Sequence, residues 1–100
     1  MQHSRFPLTA VTQSRLAQVD FDNPGFGKTF SDHMFSMVYE DGAWGQAEII
    51  PYQALAIEPG VAMLHYGQTV FDGYKVFRGE DGQARIFRPE RNAARLHDSC

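Results

Sequence analysis

The sequence predicts an α+β domain with an antiparallel or mixed sheet and flanking helices. Two Asp-Gly pairs, Asp41-Gly42 and Asp81-Gly82, each stand between apolar runs and mark two hairpins. Pro89-Glu90, followed by Ala93, Ala94 and Leu96, opens a helix. The strand–helix–strand rhythm of a doubly wound parallel sheet is missing, as are internal repeats and low-complexity tracts.

Residues 1–27 mix polar groups with Pro7, Pro24, Gly25 and Gly27 and keep no period, so they read as an extended arm or loop. A helical turn is expected within Thr12 to Asp20. From His33 to Tyr39 apolar side chains fall on both faces of a twofold period, which predicts a covered strand. Trp44 to Ile50 returns from the Asp41-Gly42 turn and stops at Pro51, with Gly45 as its weak point. Gln53 to Glu58 predicts a short helix closed by Pro59-Gly60. The apolar run Val61 to Leu64 then reaches a strand-to-loop boundary at His65-Tyr66-Gly67. Val70 to Arg78 reads as a strand, turning through Gly79-Glu80-Asp81-Gly82 into Ala84 to Arg88. In the last helix Pro89 suits the first position, which needs no donor, and Glu90 suits the positive end. No Gly, Asn or Pro stop follows before Cys100, so the natural chain is expected to continue.

A chain of 100 residues holds one modest core, and 43% hydrophobic residues exclude disorder as the default. A net charge of −3 argues against a broadly basic nucleic-acid surface. The sign is uneven. Residues 1–58 carry three Lys/Arg against seven Asp/Glu, and residues 59–100 carry six against five. The single Cys100 excludes an internal disulfide framework and a multi-cysteine metal site. The histidines at 3, 33, 65 and 97 show neither HExxH nor a paired zinc spacing. No stretch has membrane-spanning length and the start lacks a signal-type apolar core, so a soluble cytoplasmic protein is expected.

The chemistry-bearing residues cluster toward the end. In a strand over 70–78, Phe71, Gly73, Lys75 and Phe77 share one face. Glycine there is either the gap of a pocket walled by Phe71, or a bulge. Lys75 invites a role as a carbonyl-trapping amine, yet nothing in its position lowers its pKa, and a solvated lysine is the simpler reading. Tyr66 offers a hydroxyl at a loop edge. Arg88, Arg91 and Arg95 form either an anion site or a solvated face with Glu90 and Asp98. The chain contains no GxGxxG, GxxxxGK[ST] or GxSxG.

Three segments resemble one family. Leu64 to Arg78, LHYGQTVFDGYKVFR, is similar to the LHYG…VFEGLKAFR signature of branched-chain aminotransferases, class IV of the PLP-dependent enzymes. Ile86 to Leu96, IFRPERNAARL, resembles that family's FRPxxNxxR stretch. Phe26 to Met34, FGKTFSDHM, resembles the FGxxFTDHM segment of its longer members. Asp72 stands where Glu is usual, and Tyr74 where Leu, Met or Ile is frequent.

The resemblance implies a two-domain enzyme with pyridoxal 5'-phosphate between the domains. Residues 1–27 would be an N-terminal arm, and residues 28–100 most of the small N-terminal domain, truncated at its C-terminal end. It places Arg95 on the cofactor phosphate, and Phe26 and Phe71 against the branched side chain. Tyr66 would reach the neighbouring subunit's active site, Gly73 would leave room, and Lys75 would lie near the pocket. The Schiff-base lysine is expected beyond residue 100, so the catalytic residue is none of these and the 100 residues alone are expected to be inactive. The implied reaction moves an amino group between leucine, isoleucine or valine and 2-oxoglutarate in a homodimer or higher homo-oligomer. Partners would be branched-chain amino acids and 2-oxo acids, with no nucleic acid, metal or membrane. The alternatives are a D-amino-acid aminotransferase or an aminodeoxychorismate-lyase-like class IV enzyme, and a non-catalytic structural or interaction module.

Overall fold

A computed structural model describes residues 5–100. His3 and the first four positions of the expected arm lie outside the described residues. The chain forms two units, one running to Leu55 and the other Ala56–Cys100.

The first unit is organised by a hairpin. Strand β1 (His33–Ser36) pairs antiparallel with β4 (Glu48–Pro51), and its tip is β2 (Tyr39–Glu40) on β3 (Ala43–Trp44). Asp41 and Gly42 form the two-residue turn, at φ 51° and 80°. Positive φ at both central positions gives the twist that a tight hairpin needs, and Asp and Gly tolerate it. Ser36 faces Glu48, whereas Tyr39 faces Trp44, so the return strand carries one residue more between the two ladders. That bulge lies at Gly45, whose N–H donates to the Val38 carbonyl at 2.7 Å. The weak point expected at Gly45 is therefore a kink that splits one predicted hairpin into two short ladders.

The arm is tied down rather than free. Leu8 makes a parallel bridge to Ile49, with Thr9 N–H donating to the Ile49 carbonyl and Ile49 N–H to the Pro7 carbonyl, both at 2.9 Å. Phe6 meets Phe35 edge-on, with ring centroids 5.4 Å apart. Leu16–Gln18 forms the helical turn expected between Thr12 and Asp20, in 3₁₀ form. Asp32 anchors it. Its carboxylate accepts from the Ser14 hydroxyl at 2.6 Å and the Arg15 N–H at 2.9 Å. These bonds, that from Ser14 first, hold the Asp32 carboxyl below its ordinary range.

In the second unit β5 (Val76–Arg78) pairs antiparallel with β6 (Ala84–Ile86). The turn is closed by Gly82 N–H donating to the Gly79 carbonyl, with Gly82 at φ 76°. Two helices complete the unit, α1 (Ala62–Tyr66) and α2 (Pro89–Ser99). Arg88 leaves the ladder at φ 49°, and Pro89 starts α2 as the sequence predicts.

Three expectations are corrected. Residues 52–58 form no helix; the segment is too short to offset nucleation, and Glu58 before Pro59 is disfavoured from helical geometry. The strand-to-loop boundary at 65–67 is instead the end of α1, capped by Gly67 in the left-handed region at φ 59°. Val70 to Lys75 is not strand. The return strand ends at Ile86, since Arg88 and Pro89 turn away, and no partner remains for those residues. The twofold alternation of Phe71, Gly73 and Lys75 on one face falls with it.

The covered strand is corrected too. No described side chain is buried, and Phe35 is 55% exposed. Some of the rings meet in edge contacts and stacks, such as Phe30 on Tyr52 at 5.0 Å between centroids, and none lies in a closed core among the described residues. Both helix and strand are present, as an α+β reading requires, with the strands in three separate antiparallel pairs. No helix among the described residues is long and apolar enough to cross a membrane.

Candidate functional site

In the second unit, the irregular segment 70–75 is held to one face of α2. Asn92 and Arg95 stand three apart on that helix, a spacing that places both on the same side. Asn92 Nδ2 donates to the Gly73 carbonyl at 3.0 Å. Arg95 Nε donates to Asp72 Oδ2 at 3.1 Å and Arg95 Nη2 to Asp72 Oδ1, with a long contact from Nη2 to the Gly73 carbonyl at 3.4 Å. Asp72 Oδ1 also accepts from the Gly73 N–H at 2.7 Å. The segment is thereby shaped by side-chain bonds where ladder bonds are missing.

The electrostatics follow from this geometry. The Arg95 guanidinium holds the Asp72 carboxyl below its ordinary range, and the bond to Asp72 raises the guanidinium in turn. The Asp72 side chain is 12% exposed and that of Arg95 64%. The pair is therefore covered on the carboxylate side and open on the cationic side. Arg95 Nη1 makes no hydrogen bond among the described residues, so donors remain for an anion. Beside the pair lies a largely apolar hollow of about 330 Å³, lined by Asp72, Tyr74, Pro89, Asn92, Ala93 and Leu96.

Of the three arginines, only Arg95 reaches segment 70–75. Arg88 faces Glu90 at 3.6 Å, and Arg91 makes no ion pair among the described residues. Phe71 precedes Asp72 and projects its ring with 93% exposure. Tyr66, on the last turn of α1, is similarly open, and Phe26 in the first unit is fully exposed. Lys75 is exposed and makes no ion pair among the described residues. A Cβ on Gly73 would meet nothing within 4 Å, so the glycine borders open space. Asp72 and Asn92 are the members that sequence reasoning missed. Their signal was the i, i+3 spacing of Asn92 and Arg95, which becomes informative only once segment 70–75 lies against that face. No group of three or more potential metal-ligating residues occurs among the described residues.

No family model matches the chain. Curated proteins do. The chain is 48% identical over 92 residues to the branched-chain-amino-acid aminotransferase of Mycolicibacterium smegmatis, a match covering 91% of the chain and 24% of that protein. It is 47% identical over 96 residues to that of Mycobacterium tuberculosis, covering 93% of the chain and 26% of that protein. Against branched-chain-amino-acid transaminase 1 of Bacillus subtilis it is 47% identical over 77 residues, covering 76% and 22%. Over most of its length the chain is similar to curated branched-chain aminotransferases. It spans about a quarter of the length of the curated relatives it matches. A match over 91% of the chain leaves neither structural unit outside the likeness.

Proposed function

We propose that this chain supplies the phosphate anchor and part of the apolar substrate wall of an enzyme that transfers an amino group between leucine, isoleucine or valine and 2-oxoglutarate. The observation that carries it is the Arg95 guanidinium, held on one side by Asp72 and open on the other. Relatives named as branched-chain aminotransferases supply the reaction class. The donor chemistry fits the phosphate of pyridoxal 5'-phosphate: a planar, permanently charged group with free N–H donors on an 11-residue helix. When bound, that cofactor supplies the electron sink for amino-group chemistry.

Each residue then has a task. Arg95 binds the phosphate and fixes the cofactor's position. Phe71, uncovered beside Asp72, presents an apolar face to an aliphatic side chain and displaces water from it; the likeness to the family assigns Phe26 a further apolar contact with that side chain. Such walls discriminate weakly, by about 1–3 kcal/mol per methylene. Gly73 keeps the backbone low beside the pocket, and Tyr66 and Lys75 border it, Tyr66 toward a neighbouring subunit of a homo-oligomer. The proton-shuttling amine is a lysine outside these residues, not Lys75. In domain terms, residues 1–27 are the arm and residues 28–100 most of the small domain of a class IV enzyme, acting in the cytoplasm.

A donor panel tests this reading on the full-length enzyme loaded with pyridoxal 5'-phosphate. Leucine, isoleucine and valine should each yield glutamate from 2-oxoglutarate. Exclusive use of D-alanine, or release of pyruvate from a chorismate-derived amine, would assign a different class IV reaction. Absence of turnover with every branched-chain donor would refute the proposal.

A further inference from the structure

We infer that Asp72 is a positioning residue for Arg95, fixing the guanidinium so that a phosphate-bearing ligand meets an oriented, half-open cation. This rests on the proposal that Arg95 is the phosphate anchor, and it adds a residue to that task. Asp72 takes the edge of the guanidinium formed by Nε and Nη2. Nη1 is left without a protein partner among the described residues, and the Arg95 side chain as a whole is 64% exposed. Asp72 is itself set in place, because Oδ1 also accepts the Gly73 N–H and its side chain is 12% exposed. Asn92 ties the Gly73 carbonyl to the same helix face, so carboxylate and guanidinium rest on one stitched surface.

Two effects oppose each other. An unheld arginine gives up rotamer freedom when it grips a ligand, whereas a held one has already done so. Against that, the Asp72 charge repels a phosphate. The repulsion acts across a solvent-exposed guanidinium, where water and salt weaken it, while orientation is not screened. Positioning therefore prevails. A Glu at 72 keeps the charge and both acceptor oxygens, so it should retain most of the effect; an Asn should not.

The test compares dissociation constants for pyridoxal 5'-phosphate and for pyridoxal, which lacks the phosphate, in the full-length enzyme after cofactor removal. Asp72→Asn should weaken phosphate-bearing cofactor about tenfold, within the usual coupling of contacting residues, and change pyridoxal by less than about twofold. Asp72→Glu should recover most of the loss. Unchanged or tighter cofactor binding in Asp72→Asn, or equal weakening of both ligands, would overturn the inference. Arg95→Ala separates the two levels. If it abolishes the preference for the phosphate form while Asp72→Asn leaves that preference unchanged, the anchor stands and the role of Asp72 fails. If it leaves that preference intact, the anchor itself fails. Should Asp72→Asn not fold, the Arg95 Nε–H resonance of the unaltered enzyme, assigned with Arg95→Lys, gives the answer. Protection with and without cofactor supports positioning, and loss of protection on cofactor binding contradicts it.

Discussion

Asp72 and Arg95 are joined through two guanidinium nitrogens across 23 positions of sequence. The bond draws an unpaired segment against α2 and leaves the far side of a cation open. A bare anion should recognise the same feature. Inorganic phosphate should slow cofactor uptake by the unaltered enzyme and lose that effect in Arg95→Ala. Stopped-flow absorbance of cofactor binding, with added phosphate against chloride at matched ionic strength, measures it.

Phe71 has 93% of its surface exposed, so its ring contributes nothing to a core. Phe71→Ala should leave the melting temperature nearly unchanged, within the roughly 0.5 kcal/mol typical of surface positions. It should lower kcat/KM for leucine by about 10–100-fold, as expected for an apolar wall, and that for alanine by less. Equal losses for both donors would contradict a side-chain-binding role.

Asp81 and Arg85 form a clip over Gly79. Arg85 donates from Nη1 and Nη2 to the two Asp81 oxygens, at 2.7 and 2.6 Å. The bonds from Arg85, with that from the Gln83 N–H, lower the Asp81 carboxyl from 3.8 to about 2. A carboxyl lowered in the folded state lends its full stability above 3.8, and that contribution disappears as the pH falls through about 2. A Cβ on Gly79 would run into Arg85 Nη1 and lie 2.7 Å from Asp81 Oδ1, pushing the two side chains of the clip apart. Gly79→Ala should therefore return Asp81 toward 3.8, read by the pH dependence of its carboxyl carbon resonance.

Gly42 sits in the tip turn at φ 80°. Gly42→Ala should destabilise the hairpin by about 1–2 kcal/mol, because a Cβ is crowded in that region. Urea unfolding of the full-length enzyme, or hydrogen exchange at the Gly45 N–H bonded to Val38, measures the cost.

The features legible in the sequence were those with local causes. Asp41-Gly42 and Asp81-Gly82 announce tight turns because the positive φ taken by Asp41, Gly42 and Gly82 comes easily to those residue types. Pro89 announces a helix start for the same kind of reason. Helix α1 was also within reach, since Ala62, Met63 and Leu64 are strong helix formers and Gly67 is a standard cap. Val70 to Lys75 was misread because strand formation needs a partner, and the missing partner is set by Arg88 and Pro89 well downstream. Asp32 and Asp72 look like ordinary acidic residues in sequence; their roles emerge only when Ser14 and Arg15, or Arg95, arrive from elsewhere in the chain.

The most direct measurement follows the amino nitrogen itself. With ¹⁵N-leucine, 2-oxoglutarate and the cofactor-loaded full-length enzyme, the label should appear in glutamate as leucine is converted to its 2-oxo acid. Label that stays in leucine, isoleucine and valine alike, in an enzyme shown to hold its cofactor, would contradict the account.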